Sequence, residues 1–506
     1  MNIVQRSVWL LFLSFVAISQ LPASTLHLSL SANPSRINPL LATDSASGEI
    51  TNWIFNGLVK FDKDGKIVGD LADSWEYLSP KIIRFHLREG VKWHDGRPFG
   101  AEDVAFTFHL SQSKKLFTPY SSEFRYVGSV HIVDERTLDV IYKKPYYKAL
   151  SIWMMGILPK HIWQNVKDPM TSKFNRNPVG TGPYRLESLD LSGDVVLKAN
   201  KEYYRHKPFI EKIHYHFIPD PTTQFMTLKA HELDMGSLTP LQIEKQIDDS
   251  FKEYYRIVSM PGQGYTYLGF NLKREKFKDV RVRKAIDMAI DKKMLIDILF
   301  FSHGKVCHGP FMPKTFAYPH DIAPAIYDPK KAKKLLAEAG YDESNPLLFT
   351  IFTNANNATR LYAAQIIQHQ LGKIGVKVKI RAMEWQAFLN TVVTPRRFDA
   401  ILLGWSLGLI PDAYPLWHSE SDKLGGFNLA GYHNENVDRL IKEAERQTDI
   451  DEVGRLYKKI FKMIVHDKPY VFLYIPDSIT VVNRKINPIE PSIVGIMHNQ
   501  IDWIKP

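Results

Sequence analysis

Phe398 to His418 reads FDAILLGWSLGLIPDAYPLWH. Ala400-Ile401-Leu402-Leu403 is a continuous apolar run, the pattern of a strand buried on both faces. It breaks at Gly404-Trp405-Ser406-Leu407-Gly408, a large aromatic between two glycines. Sheets in α/β proteins take their ligands just past the carboxyl ends of their strands, so this break is expected to form the floor of a binding site. Pro411 and Pro415 keep the next stretch of chain short or irregular.

Working outward, residues 328 to 398 alternate between the two periodicities. Asp328-Pro329 starts a helix that Gly340 ends. Leu347 to Thr353 is a strand. Leu361, Ile366, Ile367, Leu371 and Ile374 lie at helical spacing. Val376, Val378 and Ile380 alternate as a strand, and Glu384 to Val393 is helical. This βαβαβ order predicts an α/β protein with a parallel sheet and helices on its faces. Three strand ends then point the same way: Thr353-Asn354, Met383 to Trp385, and Gly404 to Gly408. Trp385 and Trp405 are expected to line one crevice.

At 506 residues the chain exceeds what one core serves, which predicts two or three domains. Hydrophobic residues at 44% and charged residues at 24% are ordinary globular values, with ample material for cores. The net charge of +11 is scattered; its densest points, Lys330 to Lys334 and Arg396-Arg397, read as solvated faces, and no nucleic-acid partner is implied. Arg6 followed by the apolar run Val8 to Ile18, with Ala23 as the last residue removed, reads as a secretory signal peptide over residues 1–23. No cysteine follows the run to carry a lipid, and no later segment reaches the apolar length of a membrane helix. A periplasmic, monomeric protein is expected. The single cysteine, Cys307, leaves the fold without an internal disulfide.

Earlier in the chain, Leu26 to Leu30 alternates as a first strand, and Thr43 to Ser47 is a small polar loop before a helix near Glu49 to Phe55. Ile83, Phe85 and Leu87 form a strand that returns through Val91 and Trp93, and Asp95-Gly96 is a hairpin turn signal. His94-Asp95 inside that turn reads as structural rather than catalytic. Gly180-Thr-Gly-Pro-Tyr184 lacks the helix and lysine of a phosphate cradle. Asp279 starts a helix whose Arg281, Arg283, Lys284 and Asp287 are read as its solvated side. Cys307-His308 has no convergent second pair of ligands, so neither a metal nor a cofactor is predicted.

Leu71-Ala72-Asp73-Ser74-Trp75-Glu76, then Phe85 to Gly96 (FHLREGVKWHDG), then Ala101-Glu102-Asp103-Val104, resembles the signature of the peptide/nickel class of extracellular solute-binding proteins, which serve ATP-driven importers. Gly180 to Tyr184, Asp279 to Ala285 and Gly404-Trp405 follow in the family's order. Gly100 departs from the usual Thr or Ser helix cap. The resemblance implies a two-lobed periplasmic-binding-protein fold with a hinge and an extra domain on the first lobe. It divides the chain into a first lobe of residues 24–50, 181–268 and 479–506, an extra domain of 51–180, and a second lobe of 269–478. The function implied is capture of peptides in the cleft and delivery to the membrane permease subunits of the importer, without catalysis.

By position, the resemblance carries ligand contacts onto Gly404, Trp405 and Ser406, onto Trp385 as a pocket wall, onto Asn428 and Tyr432 at the cleft edge, and onto Ser45 on the opposite lobe. Peptide-binding members carry an acid shortly after this tryptophan to meet the peptide's ammonium. Gly408 and Ile410 stand at the two usual positions here. Asp412, Asp44 and Glu123 are the candidate replacements, and a ligand without an ammonium, such as an oligosaccharide or a nickel or haem complex, stays open. Gly404 to Gly408 also fits the G-x-S-x-G pattern of serine hydrolases, but Pro411 and Pro415 interrupt the helix that such an elbow requires.

Overall fold

The computed structural model describes residues 24–190, 193–323 and 326–506. Residues 1–23, read from the sequence as a signal peptide, lie outside the described residues. The chain forms two lobes, with a further sheet on the first. In the first lobe, Thr25–Leu30 pairs in parallel with Lys212–Phe217, followed across the sheet by Val195–Ala199 and Tyr184–Leu189. Leu26, Leu28, Leu30, Ile213 and Tyr215 turn one face of it into a core. The C-terminal residues Ile486, Ile496 and Trp503 complete that core.

The Ser45–Ile54 helix packs into this same first-lobe core through Ile50, Trp53 and Ile54. Leu158 and Trp163 do so as well. The extra layer has its own core running from Leu58 to Ile157, under an antiparallel sheet of Ala72–Ser79, Ile82–Leu87, Thr137–Tyr142 and Val127–Asp134. The boundaries expected at 51 and 180 therefore fall inside first-lobe packing.

Gly180 and Gly182 sit where this layer meets the first lobe. The Gly182 amide donates to the Ile54 carbonyl at 2.8 Å, and the His94 imidazole holds both glycines through the Gly182 carbonyl at 3.0 Å and the Gly180 amide at 3.3 Å. A Cβ on Gly180 would lie 1.9 Å from the Ile54 carbonyl oxygen. The glycines allow two backbones to touch, and His94 is a strut between layers. Gly180→Ala is expected to lower stability by about 1–3 kcal/mol or more, read as a drop in the urea midpoint; an unchanged midpoint would mean that the contact yields freely.

In the second lobe the sheet is mixed. Ala400–Ser406 lies between Leu348–Asn354, its parallel partner, and Gly264–Phe270, its antiparallel one; Lys377–Met383 pairs in parallel with Leu348–Asn354. Apolar side chains pack on both faces. The Val280–Ala289 helix differs from its sequence reading. Arg283 and Asp287, expected on a solvated side, are buried. Arg283 donates to the carbonyls of Phe277, Lys278, Asp467 and Lys468, and Asp287 pairs with Lys292 and Lys468, both at 2.6 Å. Helical spacing cannot distinguish a solvated charge from one whose partners come from other elements.

The long Tyr470–Asn483 strand ties the lobes together. Its first half pairs with Gly264–Phe270 and Gly304–Val306, its second with Tyr255–Pro261 and Met235–Ser237. The first crossing between lobes lies at Gly262-Gln263, not after residue 268 as expected, because Gly264–Phe270 is laddered along its length to Ala400–Ser406. The second crossing lies at Pro476-Asp477. The Gly262 amide donates to the Pro476 carbonyl at 3.0 Å, so the two crossings are hydrogen-bonded to each other.

Candidate functional site

The register Asn354↔Met383 and Phe352↔Ile401 brings the carboxyl ends of three strands side by side, at Asn354, Met383 and Gly404. The parallel ladder on Ala400–Ser406 ends at Ile401, so the strand runs on past its partner. The Leu407 amide donates to the Gln263 carbonyl at 2.8 Å. By the alternation of an antiparallel pair, Trp405 also directs its main-chain groups toward Gly264–Phe270, while Gly404 and Ser406 direct theirs to the opposite, unladdered edge. That edge is a template for an extended chain.

Beside this edge stands Arg360, in the first turn of the Ala358–Gly372 helix. Asn357 caps the helix, its side chain accepting from the Arg360 amide at 2.8 Å. The guanidinium donates to Asn354 Oδ1 at 2.6 Å and lies 3.3 Å from where a Cβ on Gly404 would be. It is partly buried, and burial lowers its pKa; among the described residues no carboxylate lies within ion-pair distance of it. A cation in a helix's first turn opposes the helix dipole. Arginine and helix end together make an electropositive corner at the strand ends.

Aromatic side chains wall the edge. The Trp405 indole stacks at 9° on Tyr267, with centroids 5.9 Å apart, and meets exposed Phe427 edge-on. Trp385 opens the short Trp385–Phe388 helix, its ring 6.3 Å from Phe388. Both tryptophans pack against the same second-lobe core.

The extra layer also touches the second lobe. The Tyr147 hydroxyl donates to the Pro411 carbonyl at 2.7 Å and meets the Tyr457 hydroxyl at 3.0 Å. Lys148 pairs with Asp412 at 3.3 Å, and Lys144 with buried Glu445 at 3.1 Å. Near the hinge, His303 meets Glu244 at 3.1 Å.

Residues 66–426 match the bacterial extracellular solute-binding proteins, family 5 Middle. The chain belongs to this family. It is 32% identical to the oligopeptide-binding protein AppA of Bacillus subtilis over 88% of this chain and 85% of the relative. It is 27% identical to a dipeptide-binding protein of Pseudomonas aeruginosa over 94% and 95%. The structure of Bacillus subtilis AppA in complex with a nonapeptide superposes with a TM-score of 0.78 at 30% identity, covering 95% of this chain and 99% of that one. That of NikZ from Campylobacter jejuni in complex with Ni(L-His) superposes with a TM-score of 0.80 at 28% identity, covering 96% and 100%.

The residues singled out in the sequence separate into two groups. Gly404, Trp405, Ser406 and Trp385 stand together at the strand ends. Asn428 and Tyr432, expected at the cleft edge, are buried: Asn428 donates to the His418 and Tyr432 carbonyls, and the Tyr432 hydroxyl donates to Asp467 at 2.6 Å. Their polar groups are engaged inside the second lobe. Ser45 is exposed at the start of its helix, whose cap is Asp44. Asp44 accepts from the Ser35 and Ser47 side chains, Asp412 is engaged by Lys148, and Glu123 lies 3.6 Å from the same lysine. In this conformation Lys148 engages two of the three replacement acids, and Asp44 is held by hydroxyl and amide donors.

Ser406 belongs to a strand, opposite Gly264, and the next helix, Tyr414–Trp417, begins only after Pro411. This is not the strand-turn-helix of a nucleophile elbow. His418 is buried against Tyr414, and His433 meets Asp422; neither reaches Ser406.

Sequence reasoning passes over Arg360. Its signal is the order Asn357-Ala-Thr-Arg360: a capping residue followed, in the first turn, by a cation where an anion is favoured.

Proposed function

We propose that this solute-binding protein captures peptides in the cleft between its lobes and delivers them to the permease subunits of an ATP-driven importer, acting as a periplasmic monomer whose signal peptide is removed after Ala23. The observation that carries this reading is the unladdered edge at Gly404 and Ser406. It offers main-chain donors and acceptors to any extended peptide, whatever its side chains. Arg360 and the helix end beside it supply a counter-charge for a carboxylate, and Trp405 and Trp385 supply apolar walls. The peptide-binding names of the relatives support the same ligand class. The absence of an elbow at Ser406 favours capture without chemistry.

The test is a titration of mixed-length peptides against wild type and Trp405→Ala, followed by tryptophan fluorescence and melting temperature. A saturating signal in the wild type, weakened by about tenfold or more in Trp405→Ala, is expected; truncating a buried aromatic anchor typically has an effect of this size. If no peptide changes either readout, or if Trp405→Ala binds as tightly as wild type, the reading is wrong. Mass spectrometry of small molecules retained through native purification identifies the ligand independently.

A further inference from the structure

A group of histidines lies in the first lobe, on the opposite face of its sheet from the core. Leu26, Leu28, Ile213 and Tyr215 point into that core, so their neighbours His27, His214 and His216 share the other face. Alternation along two parallel strands delivers them together: His27 sits opposite His214, with His216 two residues further on the same strand. His27 Nδ1 and His216 Nε2 are 3.0 Å apart. The His214 and His216 ring centroids are 4.0 Å apart, and one ring nitrogen from each of the three lies within 4.8 Å of the others.

Asp194, at the start of the adjoining strand, faces the group. Its Oδ2 meets His214 Nε2 at 3.1 Å and lies 3.6 Å from His216 Nδ1, while its Oδ1 accepts from the Phe217 amide at 2.9 Å. The carboxylate is held by the backbone and in turn leans on two imidazoles. All three histidines are partly buried.

We propose that His27, His214 and His216 bind one divalent transition-metal ion of the zinc class, with Asp194 orienting the two imidazoles from Lys212–Phe217. Imidazole suits zinc, copper and nickel. Metal–nitrogen bonds of about 2.0–2.1 Å place tetrahedral ligand atoms roughly 3.3 Å apart, so the 3.0 Å spacing of His27 and His216 needs only small rotations to accept an ion between them. A carboxylate behind a ligating histidine fixes ring orientation and raises basicity. Three histidines leave a fourth position for water or a further ligand. The ion would join Thr25–Leu30 to Lys212–Phe217, with 189 positions between His27 and His216 along the sequence.

The experiment uses the tag-free mature chain, because a histidine tag would bind the probe ions. Zinc chloride is titrated by calorimetry into wild type, His214→Ala/His216→Ala, Asp194→Asn and Trp405→Ala. Wild type is expected to bind one equivalent with a Kd of about 10 μM or tighter, the double variant to lose it, Asp194→Asn to weaken it by about 10- to 100-fold, and Trp405→Ala to leave it unchanged. The last arm separates this site from anything bound in the cleft, so failure here does not touch the peptide reading. Copper(II) spin resonance on wild type provides a readout that needs no variant, with hyperfine coupling to several imidazole nitrogens expected. Absence of one-to-one zinc binding, absence of nitrogen coupling, or zinc binding that survives in the double variant would overturn the proposal.

Discussion

Arg360→Met is expected to weaken a peptide with a free carboxyl terminus by about 30- to 150-fold in Kd, while making the unliganded protein no less stable. Truncating one partner of a desolvated charge pair costs about 2–5 kcal/mol. Arg360 is only partly buried, so the lower part of that range, about 2–3 kcal/mol, applies, and 1.4 kcal/mol corresponds to a factor of ten. The stability half follows from the surroundings of the guanidinium. It has Asn354 as a hydrogen-bond partner but no carboxylate among the described residues, and it stands in a helix turn where the dipole disfavours it. Removing an uncompensated cation relieves repulsion, so a chemical melt should be unchanged or slightly improved. A residue that weakens the free fold and strengthens the complex is what a binding site retains. Arg360→Lys should recover only part of the affinity, because the ammonium keeps the charge but loses the two-pronged geometry. A carboxyl-amidated peptide should bind wild type and Arg360→Met equally. Equal affinity of both proteins for the free acid would remove Arg360 from the site.

The legible parts of this chain are those whose cause is local. Ala400 to Leu403 is an apolar run ended by glycine, and it folds as a strand ending at Ser406. The alternation of Val376, Val378 and Ile380 and the helical spacing from Leu361 to Leu371 give the parallel layer directly. Trp405 lies at the end of that strand and Trp385 opens the short helix after Lys377–Met383, both packed against the second-lobe core.

The illegible parts depend on partners remote in sequence. Asp412 reads as a free acid until the chain brings Lys148 to it from 264 residues away. The resemblance sets Asn428 and Tyr432 at the cleft edge, and nothing nearby in the sequence shows that they satisfy one another inside the lobe. The first crossing reads late, after residue 268, because the pairing of Gly264–Phe270 with Ala400–Ser406 is a long-range fact. The importance of Arg360 needs the sheet register that sets Asn354 beside Gly404.

The buried charges of the second lobe give the largest expected stability effect, and it comes with a pH signature. Asp287 is flanked by Lys292 and Lys468, each at 2.6 Å, and Lys292 and Asp287 are less than one-tenth exposed. Removing one member of a buried pair costs about 3–5 kcal/mol, because the remaining charge keeps its desolvation penalty without compensation. Asp287→Ala leaves two lysines in that state and is expected to fall in this range by denaturant unfolding. Burial alone would raise the Asp287 pKa; the two lysines more than offset it and leave the carboxyl below its usual value. A carboxylate whose folded pKa is depressed stabilises the fold above its unfolded pKa, near 3.9, and loses that contribution as pH falls through the folded value. The stability gap between wild type and Asp287→Asn should therefore be constant from about pH 5 to pH 8 and close below about pH 4. The triad joins the Val280–Ala289 helix to the Lys292–Phe300 helix and to Lys468, two residues before the strand that crosses the hinge. The loss should thus appear as loosening of the second lobe, with hydrogen exchange rising at Tyr470 to Leu473 before it rises in the first-lobe sheet. A gap that persists unchanged at pH 3, or exchange that rises in both lobes together, would show that the triad does not hold this junction.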